Sequence, residues 1–496
     1  MPSSALSQQG LDAFRERADR FIAAYDQEYY DHYAGLKESL DLAPIYEEFA
    51  DLTTLEQAQA IGASVNGDGG VRELWRFACE GYLGNLTKAQ EEEIAGLEAT
   101  LTVTVDGETV GLRELRPRIA NEPDRSKRER LERARNELTE EHLQPLQLEI
   151  VRRTNDAVRT LGAESYLDLY RRFGLELDAL AAQCRTLLAD TEELFELEAD
   201  KMFRKAVGVG LAEAQRWDSL RVFRATGWDD GFPADRMLPA LEVTLAGLGV
   251  ELGSQQNVHL DLEDRKLKSP RAFCSPIEVP EKVMLVIKPM GGFDDWRALF
   301  HEAGHTEHFA HTSAGLAMEQ RRLGDNAVTE GWAALFEHLT SEPAWLNRRL
   351  DFADPAGLAA DAAVQLLWIA RRYSAKLLYE LEFHSAADVT QMKPRYVELL
   401  GGALKVEPSP TDYLSDIDAG FYVSSYLRSW AFEAQLRDHL RERFGDEWFS
   451  RREAGGLLRE LWSLGQSLTA EELLKDVTGA TLDMGSVEAR AREPLA

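Results

Sequence analysis

The chain has 496 residues, 44% of them hydrophobic and 29% charged, a balance that supports a large buried core and argues against intrinsic disorder. Its formal charge of −30 leaves no surplus of Lys and Arg for phosphate contacts, so nucleic acid is not expected as a partner. The cysteines, Cys79, Cys184 and Cys274, are far apart and odd in number, which predicts neither a disulfide framework nor a thiolate metal site.

From the start, Met1 to Gly10 carries no basic segment followed by an apolar one, so a secretory signal is not expected. No stretch reaches the roughly 18 apolar residues of a membrane-spanning helix. The expectation is a cytoplasmic protein with no membrane partner. Apolar residues at three- and four-residue spacing predict helices over 11–30, 86–100, 124–161 and 175–207. Between them, the alternating β-branched residues of 100–112 flank Asp106-Gly107 and predict a hairpin. Strand character returns at 258–267 and 282–288, the second ending at Pro289-Met290-Gly291-Gly292. Asp294 or Asp295 is then expected to cap a helix running to about His311. Further helices are expected at 330–339, 358–381 and 421–444. The fold class is therefore mainly α, with a small sheet beside the helix at 301–311.

That helix carries the sharpest chemical signal, His301-Glu302-Ala303-Gly304-His305. Residues four apart share a helix face, so both imidazoles can reach one metal ion. Glu302 projects near that face and suits a general base that takes a proton from an attacking water. A third ligand is needed, and Glu330, early in the next helix, suits it; two imidazoles and a carboxylate match zinc, one ion per chain. Glu337, two turns beyond Glu330 on the same stripe, could accept a hydrogen bond from a ligand imidazole. His308 reads either as a neighbour of the site or as a core histidine, and His259 and His311 read better as locally satisfied residues. The bland alternative for the whole set is surface carboxylates and helix-face histidines that never meet a metal.

HEAGHTEH followed by TEGWAALFEHL resembles the thimet oligopeptidase and oligoendopeptidase F family of zinc metallopeptidases, over about Val258 to Trp430. The resemblance implies a large helical metallopeptidase fold with two lobes around a substrate channel. On that basis 1–215 is expected as an N-terminal helical lobe and 216–496 as the catalytic lobe. It also implies short peptides as substrates. In the tyrosine-rich segment 418–430, Tyr422 and Tyr426 are one helical turn apart and suit donors to an oxyanion, or else an aromatic core stripe with Phe421 and Trp430. The strand at 283–288 is expected to receive the peptide as an added strand. The segment departs from the family upstream, where Tyr413-Leu414-Ser415-Asp416-Ile417-Asp418 replaces a Gly-rich loop with a histidine. Two rivals are a carboxypeptidase of the Taq type, whose His-Glu-Ser-Gln-like run at the third ligand is not matched by Thr329-Glu330-Gly331-Trp332 here, and a non-catalytic zinc- or peptide-binding module.

Overall fold

The computed structural model describes residues 5–224 and 226–496. The fold is mainly α, with two small sheets among the described residues. No described helix is long and apolar enough to cross a membrane.

The chain divides into two compact units, each assembled from three segments. One comprises Met1–Gly81, Thr226–Ala360 and Ser425–Arg490; the other comprises Tyr82–Ala225, Asp361–Ser424 and Ala491–Ala496. This replaces the expected division at 215/216. The chain changes unit inside the long helices Gly69–Thr100, Pro355–Phe383 and Tyr422–Phe444, where composition does not change and a boundary leaves no mark.

The second unit holds the hairpin, β1 (Thr102–Val105) and β2 (Glu108–Gly111). Its turn has positive φ at both Asp106 (53°) and Gly107 (82°), the conformation that Asp-Gly accepts most readily. The helix expected over 124–161 is interrupted: Arg125–Leu138 passes through a π turn at Thr139–Leu143 into Gln144–Thr160. Pro145, with no N–H to give to the ladder, sits at the second residue of the last piece. Asp218, fully buried, is held by Arg128 at 2.7 Å and Arg125 at 2.9 Å.

In the first unit, a three-stranded sheet has the order β3 (Val258–Asp261), β5 (Lys282–Val286), β4 (Phe273–Glu278). β3 runs parallel to β5 and β4 antiparallel, with Cys274 opposite Leu285. β4 was not expected from sequence, because Pro276 interrupts its run; proline is tolerated there because β4 is an edge strand. β5 is central and paired on both sides, so it cannot take up a further strand, and the expected peptide-receiving role fails for it.

The N-terminal helix Gln8–Tyr33 packs on one face of this sheet and the motif helix Phe293–His311 on the other. The motif helix starts differently from expectation. Its N-cap is Gly292 (φ 91°), and Asp294 and Asp295 lie inside the first turn. Asp295 instead accepts hydrogen bonds from the Met290 and Gly291 amides, both 2.9 Å, which shapes the turn leading out of β5. The helix Asn326–Glu337 is capped by Asp325, which accepts from the Ala327 amide at 3.0 Å and is gripped by Arg428 at 2.8 Å.

These two helices cross in direct backbone contact at Gly304. A Cβ there would lie 2.4 Å from the Trp332 carbonyl oxygen and 2.7 Å from Ala333 Cα. Substituting Gly304→Ala should force the helices apart and cost about 1–3 kcal/mol of stability, read as a lowered urea midpoint. An unchanged midpoint would mean that the crossing relaxes without strain.

Candidate metal centre

The close crossing brings His301, His305 and Glu330 together, with one ligand atom from each within 4.8 Å of the others. Glu330 Oε2 lies 3.6 Å from His301 Nε2 and 3.8 Å from His305 Nε2. Ligands of a tetrahedral zinc ion, each 2.0–2.1 Å from the metal, stand about 3.3 Å apart, so the cluster fits such an ion with small adjustments. Glu330 is only 7% exposed, whereas both histidines are half-buried. The carboxylate is thus shielded from solvent while both imidazoles keep partial access to it.

Each imidazole is oriented from behind. His301 Nδ1 lies 2.8 Å from Glu337 Oε2. A carboxylate can only accept, so Nδ1 carries a proton, and Nε2 is the nitrogen that faces Glu330 and would bind a metal once it has lost its own proton. Arg297, one turn before His301, donates to the other Glu337 oxygen. Burial alone would raise the Glu337 pKa, but Arg297 and His301 together hold it well below the usual carboxylate range. His301 is affected in the opposite sense: burial opposes its charge, yet Glu337, with Glu302 and Glu330 behind it, raises its pKa to about 9.

His305 Nδ1 lies 2.8 Å from Thr329 Oγ1. With that hydroxyl accepting, His305 also turns Nε2 toward Glu330. Burial, followed by the charge on His301, pushes the His305 pKa well down and keeps the ring neutral. Sequence reading did not find Thr329. The only signal for it was its place beside Glu330 on a helix that had to face His305. Thr329→Val keeps the shape and removes the hydroxyl. Metal affinity should fall by about 10- to 100-fold, as removal of an orienting partner does, in a competition titration with a chelator. Equal affinity would show that packing alone holds His305.

Glu302 follows a different route. It is half-buried, and its Oε2 accepts a hydrogen bond from the Cys274 amide of β4 at 2.9 Å. Burial pushes its pKa up, partly offset by the charge of His301 and by the Cys274 amide. It stands beside the ligand cluster as a basic group with one oxygen fixed.

The remaining sequence candidates sit as follows. His308 is fully buried beside Phe309 and Trp332, with ring centroids 5.2 and 6.4 Å away. Burial lowers its pKa to about 4, so it is a neutral core ring. His311 Nδ1 lies 2.9 Å from the Glu307 carbonyl oxygen, and His259 is exposed on β3. Tyr422 and Tyr426 are half-buried in the first turns of Tyr422–Phe444. The Tyr426 ring stacks with Trp430, centroids 6.1 Å apart. Tyr426 belongs to the unit that holds the metal centre and Tyr422 to the other.

No protein-family model matches the chain, and a search of curated proteins finds no match.

Proposed function

We propose that the chain is a zinc-dependent peptidase acting on short peptides, of the kind represented by the oligoendopeptidase F and thimet oligopeptidase family. The observation that carries this reading is the convergence of two oriented imidazoles and a buried carboxylate next to a fourth group, Glu302, that is not one of them. A structural metal site needs no base beside it. Zinc held by His301, His305 and Glu330 would supply Lewis-acid polarisation of a carbonyl and a lowered water pKa.

The chain's own groups do the rest. Glu302 takes the proton of the attacking water and returns it to the leaving amine. The substrate backbone aligns with the free edge of β4 near Cys274, whose amide is already committed to Glu302. Further along β4 the edge is closed, because Arg322 donates to the Pro276 and Ile277 carbonyls at 2.7 and 3.0 Å. Of the two candidate phenols, Tyr426, which shares the unit of the metal centre, would donate to the developing oxyanion. Tyr426→Phe should lower kcat by about 10²- to 10³-fold with little change in KM. Full kcat in this variant and in Tyr422→Phe would remove the tyrosines from the chemistry.

The reading is tested by measuring bound zinc and the fragments released from a library of short peptides by mass spectrometry. One zinc per chain with internal cleavage supports it. Removal of C-terminal residues alone would favour a carboxypeptidase, and bound zinc without cleavage would favour a binding module.

A further inference from the structure

The N-terminal helix carries aromatic residues at every fourth position: Phe21, Tyr25, Tyr29 and Tyr33. Their rings form a ladder, with successive centroids 6.0, 4.6 and 5.7 Å apart. The Tyr25 hydroxyl donates to that of Tyr29 at 3.0 Å. At one end Phe21 is anchored edge-on against Phe49, Phe77 and Tyr46. At the other end the ladder becomes exposed: Tyr33 is 43% accessible, with Leu36 (52%) and Leu267 (53%) close by, where Gly35 packs against the Leu267–Lys268 backbone. These exposed apolar residues stand out in a chain of net charge −30.

The ladder's position on the sheet gives it a direction. Tyr30, one residue on from Tyr29, reaches across to Asp261 on β3 at 3.0 Å. Tyr33 instead contacts Phe273 on β4, with centroids 6.2 Å apart. The tyrosine stripe therefore lies on the β4 side of the helix, at the part of the edge that Arg322 leaves open. Phe273 precedes Cys274, whose amide holds Glu302. The aromatic face is thus continuous with the strand edge that ends at the candidate base.

We propose that Tyr29 and Tyr33, backed by Tyr25, form a subsite that takes an aromatic or large aliphatic side chain of an extended peptide lying along β4. This rests on the peptidase reading. Alternate residues of a strand-like peptide point to opposite faces, so one set meets the motif helix and the other meets the tyrosines. The subsite selects by ring stacking and apolar contact.

The test uses the full-length chain and two labelled probes, a pentapeptide of alanines and the same peptide with a central phenylalanine. Binding is measured by fluorescence anisotropy on metal-free protein, and cleavage on zinc-loaded protein. The wild type should bind the phenylalanine peptide about five- to tenfold more tightly. Tyr29→Ala with Tyr33→Ala should abolish the preference, and the paired Tyr→Phe variant, which keeps both rings, should retain it. Tyr33→Ala alone, at an exposed position, guards against misfolding of the double variant and should lose part of the preference. If the wild type cleaves peptides but the alanine variants keep the full preference, the subsite is wrong and the peptidase reading survives. If the wild type cleaves neither these nor library peptides, the peptidase reading fails and takes the subsite with it.

Discussion

Glu302→Gln should leave a folded protein that still binds metal and has lost turnover by about 10³-fold, within the range for removal of a general base. The reasoning is local. Glutamine has the same shape, and its carbonyl oxygen can still accept the Cys274 amide hydrogen bond. The helix crossing, the orientation of both imidazoles and the position of Glu330 do not depend on the Glu302 charge. What is lost is a basic oxygen beside the cluster. The expected pattern is therefore a fall in kcat with KM nearly unchanged, because the interaction belongs to the transition state. Metal content should stay at the wild-type level. Normal turnover in this variant would rule out Glu302 as the base, and loss of the metal would make it a ligand.

Much of this arrangement could be read from the sequence, and the reasons differ from part to part. His301, Glu302 and His305 were legible because helical spacing alone puts both imidazoles on one face. Glu330 was legible because its helix had to face theirs and a zinc site needs a third donor. Glu337 followed from the same stripe. The hairpin at Asp106-Gly107 was legible because so few residue pairs accept two positive φ values.

What could not be read depends on long-range pairing. Strand order is not written in any one strand, so VMLVIK looked like a receptive edge when it is the middle of the sheet. Phe273–Glu278 was hidden by Pro276, whose missing N–H is harmless only because no strand pairs on that side. The two units are interleaved, so residues near the N-terminus share a unit with the motif helix, and a single cut at 215 could not describe that. Arg297 and Thr329 were missed for a subtler reason. Each acts on a histidine through the neighbouring helix, and the pairings become visible only once Gly304 has set the crossing. The aromatic ladder went unread as well, because a four-residue repeat of rings reads as an ordinary apolar stripe until its bearing on β4 is visible.

The second large effect is expected at Glu330. Glu330→Ala removes the one carboxylate of the proposed ligand set, leaving two imidazoles whose orienting partners are intact. Zinc affinity should therefore fall well beyond the about 10- to 100-fold expected for Thr329→Val, and purified protein should carry little metal. The isosteric Glu330→Gln separates charge from shape. Its amide oxygen can still reach the cluster, so affinity between those of Ala and wild type would show that the negative charge supplies much of the binding. Because Glu330 is buried, with its carboxylate 3.6 and 3.8 Å from the two Nε2 atoms, and supports the charge on His301, the metal-free Glu330→Ala protein should be less stable than the metal-free wild type. A chelator-treated thermal melt of both proteins checks this, and it keeps loss of metal distinct from loss of fold. Full zinc content in Glu330→Ala would mean that another donor completes the site. Glu302 would then be the first residue to suspect, since it adjoins His301 on the motif helix and its charge is felt there.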